Sequence, residues 1–101
     1  MCGRLVITSS AQEISEHFGG VDIGELSDSD TPNFNVAPTN QLLSLRRKGD
    51  NSSLDELHWG MQPLWLSQNE GRSPVINARA ETITEKPKLR DLVVSGRCVV
   101  A

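Results

Sequence analysis

The rhythm of apolar and polar positions changes several times along these 101 residues, and each change marks an element. Residues 3–8 carry the short apolar run Leu5-Val6-Ile7, which is strand-length and too short for a helix. Ser10-Ala11-Gln12-Glu13 then has the spacing of a capping box. Ala11, Ile14 and Phe18 follow on one helical face until Gly19-Gly20 stops it, which predicts a short helix. His17 lies beside that face and reads as a structural histidine at or near the surface. Residues 21–32 mix acids, serines and glycine without a period and read as a surface loop. Two β-rich segments come next, residues 41–48 and 53–59, with Gly49-Asp50-Asn51 as turn material. Leu43 and Leu45 alternate with polar partners, so a hairpin with one wet face is expected. A third strand is predicted at residues 74–80, and a helix from Pro87 to about residue 94 with Gly96 behind it. Residues 97–101 begin a further strand, in which Cys98 beside Val99 and Val100 reads as inert packing.

Strands outnumber helices in this reading, so the fold class is α+β and mostly β, in one small domain. A hydrophobic fraction of 37%, eight glycines and five prolines suit a globular domain with many turns. No apolar run resembles an export signal or reaches the length of a membrane span, so a cytoplasmic location without membrane association is expected. Two cysteines in such a protein are read as free thiols. The net charge of −3 is unevenly spread: residues 11–34 hold six acids and no Lys or Arg, whereas residues 72–101 hold six bases against three acids. Overall acidity speaks against indiscriminate duplex binding, and the basic back third is the part suited to a polyanion.

The second residue is Cys2, in the opening Met1-Cys2-Gly3-Arg4. An initiator methionine is commonly removed ahead of a small side chain, and removal here leaves an amine and a thiol on one residue. Such a 1,2-aminothiol traps aldehydes: the amine condenses to an imine, the thiol adds, and a five-membered thiazolidine closes. Roughly a tenth of an ordinary α-amino group is already neutral and nucleophilic at pH 7. Gly3 keeps bulk away from the nucleophile, and Arg4 places a cation two residues off. Asn77 and Arg79 are two apart and share a face if the segment is a strand. An amide can hydrogen-bond an amine or sugar oxygen, and a guanidinium can grip a phosphate with two bonds. A buried amide holding a turn and an Arg79–Glu81 pair is the alternative for those two residues. Of the two tryptophans, Trp59 at a strand end reads as core; Trp65 follows Pro63 in a loop, where a ring can stack on an unpaired base.

Five motifs stand in order: Cys2-Gly3-Arg4, Asn35-Val36-Ala37-Pro38, Trp59-Gly60-x-x-Pro63-x-Trp65, Ile76-Asn77-Ala78-Arg79-Ala80-Glu81-Thr82 and Arg97-Cys98. In this order and spacing the chain resembles the N-terminal half of the SOS response-associated peptidase (SRAP) family of abasic-site processing proteins. It departs from the pattern at Leu5, where an aromatic is common, and at Met61-Gln62, which replaces a more apolar pair. The resemblance implies a compact, barrel-like antiparallel sheet domain with short helices, of which residues 1–101 are the N-terminal part. It also implies that Cys2, freed of Met1, forms a thiazolidine crosslink with an abasic site in single-stranded DNA. Asn77 would position the lesion, Arg4 and Arg79 would hold the backbone, and Pro38 and Trp65 would line the cleft. No metal and no cofactor are implied. The family continues beyond the position of Ala101 with a Glu-containing and a His-containing motif thought to move protons, so enzyme activity in this chain is left open. The end at Ala101, inside an apolar β run, is expected to leave residues 42–45 and 75–76 exposed and prone to association. Two alternatives are a self-processing peptidase with Cys2 as its nucleophile, and a non-catalytic remnant with weak single-strand affinity.

Overall fold

The computed structural model describes residues 2–26, 32–61 and 75–101, and Trp65, Pro63 and Arg72 lie outside them. The elements in chain order are β1 (Leu5–Ile7), α1 (Ala11–His17), β2 (Asp22–Ile23), β3 (Asn33–Val36), β4 (Gln41–Lys48), β5 (Asn51–His58), α2 (Pro87–Ser95) and β6 (Cys98–Val100). The architecture is α+β and mostly sheet. A four-stranded sheet has the order β2-β5-β4-β6, and β1 and β3 form a separate antiparallel pair. The two sheets are not closed into a barrel, and the β2–β5 pairing is parallel, both against expectation.

The β4–β5 hairpin is the centre of the molecule, in unbroken register from Gln41↔His58 to Lys48↔Asn51. Its two-residue turn is Gly49-Asp50, with Gly49 at φ 62. A two-residue hairpin turn that matches strand twist needs a positive φ at its first central position, which glycine adopts without a side-chain clash. The expected wet face is not there. Leu42, Leu43 and Ser44 of β4 are all buried, as are Ser53, Leu54 and Asp55 of β5, with Asp55 opposite Ser44. The alternation was read as one wet face because Ser44, Ser53 and Asp55 are polar, yet these side chains are buried and bond to neighbours instead of water.

Leu54 and Leu43, 0% and 1% exposed, anchor a core completed by Ile7, Ala11, Ile14, Val36 and Leu42. The expected exposure of residues 42–45 is therefore wrong at Leu42 and Leu43. Val75 is exposed as expected, at 52%, and further apolar exposure falls on Val6, Phe34, Val94, Val99 and Val100.

Both helices form where the sequence places them. The capping box of α1 is complete: Glu13 N donates to Ser10 Oγ at 3.2 Å, and Ser10 N donates to Glu13 Oε2 at 2.9 Å. Ala11 and Ile14 are buried, but Phe18 is the C-cap and is 42% exposed, so it leaves the core face. His17 is exposed, its ring edge-on to Phe18 at 5.2 Å. Gly19 and Gly20, at φ 86 and φ 78, turn the chain back toward the sheet. The segment read as a surface loop then starts with β2, paired as Asp22↔Ser53 and Ile23↔Leu54. Two residues are too few to show a period, so only β5 reveals this strand. Gly24 follows against β5, where a Cβ would collide with the Asp55 carboxylate. α2 starts with Pro87, is capped by Gly96, and buries none of its residues. Cys98 is exposed, not packed, and so are Val99 and Val100 beside it on β6. Among the described residues no helix is long and apolar enough to cross a membrane.

Candidate nucleic-acid interface around Cys2

Cys2 precedes β1 and is exposed. A long-range hydrogen bond positions it: Asn77 Nδ2 donates to the Cys2 carbonyl oxygen at 3.1 Å across 75 residues of sequence. The segment carrying Asn77 is tied to the end of β5 just before it. Met61 N donates to Val75 O at 2.9 Å and Val75 N returns to Met61 O at 3.2 Å. The Trp59 indole N–H points to Ile76 O at 3.4 Å, and its ring packs half-buried against the core, as expected for Trp59. The third strand predicted at residues 74–80 is reduced to this single bridge at Val75, and residues 76–79 have no regular structure. After Val75 no described strand lies alongside to continue the ladder. Asn77 is exposed, so it is not the buried turn-holding amide of the alternative reading.

Cys2 and Asn77 both line two cavities. The larger, about 860 Å³, is lined by both of them, by Met61, Val75, Ala78 and Arg79, and by Lys86 to Leu89 at the start of α2. The smaller, about 420 Å³, is mainly apolar, with Leu5, Leu42, Trp59, Ile76 and Val100 in its lining. Asn77 and Arg79 thus reach one cavity without the strand geometry that sequence spacing suggested. Arg79 is exposed, and among the described residues no ion pair joins it to Glu81. Its guanidinium remains available to an anion.

Arg4 lies to one side. Its Nη1 donates to Asn35 Oδ1 at 3.5 Å, which links the first two motifs through the β1–β3 pair, and it lines neither cavity. Pro38 is half-buried in the turn after β3, where Asn40 Oδ1 accepts from Ala37 N at 2.8 Å, and it too lines neither cavity. Trp65 falls outside the described residues. Gly3 is not required by crowding, since a Cβ there would have nothing within 4 Å. Sequence reasoning missed Lys86 and Lys88 as cavity residues. Their signal was the basic excess of residues 72–101, but only the fold brings the start of α2 beside Cys2.

One further polar cluster sits away from Cys2. Asp55 accepts from Ser53 Oγ at 2.6 Å and from Arg46 Nε at 2.8 Å, with Lys48 Nζ at 3.2 Å from Oδ2. The Ser53 hydrogen bond first, then Arg46 and Lys48, outweigh partial burial and hold its carboxyl at a pKa of about 2. Both carboxylate oxygens thus have donors from β4 or β5, and the cluster ties the two strands together. Among the described residues no group of His, Cys, Asp or Glu could hold a metal ion.

Similar proteins were found. The abasic site processing protein YoaM of Bacillus subtilis (strain 168) is 39% identical over 102 residues, covering 99% of this chain and 44% of the relative. YoqW of the same organism, also named an abasic site processing protein, is 38% identical over 100 residues with the same coverage. Escherichia coli (strain K12) YedK, again so named, is 33% identical over 66 residues, or 65% of this chain and 28% of the relative. The chain thus spans under half the length of these curated relatives. The profile of the SOS response associated peptidase (SRAP) family matches residues 1–101 from end to end. On that match and these identities, the chain belongs to the SRAP family.

Proposed function

We propose that this chain processes abasic sites in single-stranded DNA through covalent capture by Cys2. The observation that carries the reading is the Asn77–Cys2 hydrogen bond at the edge of a cavity that also contains Arg79. Relatives named for abasic site processing supply the substrate class.

With Met1 removed, the Cys2 amine adds to the C1 aldehyde of the ring-opened sugar, and the carbinolamine loses water to give an imine. The thiol then adds across the C=N bond, sulfur to carbon and proton to nitrogen, and closes the thiazolidine. One water is released overall. Asn77 holds the Cys2 carbonyl, so the amine and thiol approach from a fixed backbone, and its neutral amide does not compete for the aldehyde. Arg79 suits a flanking phosphate, since a guanidinium pairs with phosphate oxygens through two parallel bonds. Exposure of Cys2 leaves room for the sugar.

The test is incubation with a single strand bearing one abasic site, followed by a denaturing gel. A heat-stable adduct is expected from the unsubstituted chain, none from Cys2→Ala, and at best a labile one from Cys2→Ser. A strand whose abasic aldehyde has been reduced to the alcohol should give no adduct. An adduct that survives Cys2→Ala but not Cys98→Ala, or that forms on the reduced strand, would sink the proposal.

A further inference from the structure

The turn after β3 carries a backbone strain that its own sequence does not explain. Thr39 sits at φ 77, a left-handed conformation that a β-branched side chain rarely adopts. Asn40 N donates to Ala37 O at 3.1 Å. With Pro38 second and Thr39 third, the four residues fit a type II turn, whose third position favours glycine or asparagine. A strained residue persists where its surroundings over-determine it. Here Asn40 Oδ1 accepts from Ala37 N at 2.8 Å, which closes the turn on itself. The turn also grips Trp59 at both ends of its backbone: Thr39 N donates to Trp59 O at 2.8 Å, and Trp59 N donates to Asn40 O at 2.9 Å. The Trp59 ring is held as well, half-buried against the core with its N–H directed at Ile76 O at 3.4 Å. Residues 76–79 have no regular structure beyond the bridge at Val75, so no ladder among the described residues orients the Asn77 side chain. A contact on the preceding peptide can do so. The Ile76 carbonyl shares one rigid plane with the Asn77 N–H and Cα, and holding that plane limits the directions open to the Asn77 side chain.

We propose that Trp59 is a positioning residue for the capture step: its indole N–H holds the Ile76–Asn77 peptide plane and so aims the Asn77 amide at the Cys2 carbonyl. The turn at residues 37–40 is the base of this chain of contacts, which gives the Asn35-Val36-Ala37-Pro38 motif a task although Pro38 lines neither cavity. The inference rests on the reading of Cys2 as the aldehyde-capturing group and adds what orients its partner Asn77. An N–H···O contact of 3.4 Å is longer than the usual ~2.9 Å, so the loss of this donor should slow capture no more than the loss of Asn77 itself.

The experiment uses the whole chain with two replacements of the ring. Benzothienylalanine at position 59 keeps the bicyclic shape and puts sulfur where the N–H stands; Trp59→Phe removes the donor together with part of the ring. Each is checked for a cooperative thermal melt. The first readout needs no DNA: the proton–nitrogen resonances of the Asn77 side-chain amide, identified by their loss in Asn77→Ala. Both replacements should move them toward their position in the urea-unfolded chain. Resonances unmoved by the isostere overturn the proposal. The second readout is the rate of adduct formation with an abasic single strand. The isostere should slow it roughly tenfold at saturating strand and leave the half-saturating concentration unchanged within about twofold. In the Asn77→Ala background it should slow the rate by less than about twofold further, because the two residues act through one contact. Equal slowing in both backgrounds, as a general loss of packing would give, also overturns the proposal. If the unsubstituted chain forms no adduct while the Asn77 resonances move, the Cys2 chemistry fails and the positioning contact stands; a normal adduct with unmoved resonances does the reverse.

Discussion

Replacing Asp55 with asparagine keeps the size of the β5 side chain while it removes the charge and turns one acceptor oxygen into an N–H donor. In the folded chain this carboxylate accepts from Ser53 Oγ at 2.6 Å and Arg46 Nε at 2.8 Å and lies 3.2 Å from Lys48 Nζ, with its side chain 13% exposed. Its pKa falls from 3.8 to about 2, which corresponds to roughly 2 kcal/mol favouring the ionised form in the folded state. Arg46 and Lys48 are themselves 42% and 53% exposed, so solvent screening lowers the net contribution to about 1 to 2 kcal/mol. Because the folded-state pKa is depressed, the stabilisation is fully present above the unfolded value near 4 and is lost as pH falls through about 2. Asp55→Asn should therefore cost about 1 to 2 kcal/mol at pH 7 and roughly a few tenths at pH 2. Urea unfolding of both chains at pH 7, 5, 3 and 2 measures the difference directly. A penalty that stays constant across this range would show that the loss comes from the acceptor oxygen replaced by an amide nitrogen and not from charge. A variant as stable as the parent at pH 7 would show that the cluster only offsets its own desolvation.

Two further outcomes are expected. Asn77→Ala frees the Cys2 carbonyl at an exposed position; adduct formation at saturating abasic strand should slow by roughly ten- to a hundredfold with little change in melting temperature, and an unchanged rate would remove Asn77 from the positioning role. Leu54→Ala empties the most enclosed site of the core, 0% exposed, and should destabilise the chain by about 2 to 5 kcal/mol in chemical denaturation, so a loss under about 1 kcal/mol would mean that the hairpin is not the structural centre.

Local chemistry made some elements legible from sequence. A capping box, a proline at a helix start, glycines at the ends of helices and in a tight turn, and strand-length apolar runs act over a few residues. For that reason α1, α2, β4 and the position of the hairpin turn were readable before any fold was known. The candidate nucleophile was equally readable, because the aldehyde-trapping chemistry of a terminal aminothiol belongs to one residue. What required the tertiary structure was each feature created by a distant partner. β2 is a strand only because β5 lies beside it, and Ser44 and Asp55 are buried although their polarity marks them as wet. Cys98 is exposed although its valine neighbours in sequence mark it as core. Asn77 and Arg79 reach the Cys2 cavity through a bridge at Val75 and not through strand alternation. Sequence by itself determined which chemical groups are present and the local shapes their neighbours impose; packing across tens of residues decided which of them meet, because contacts between distant segments leave no periodic trace in either segment alone.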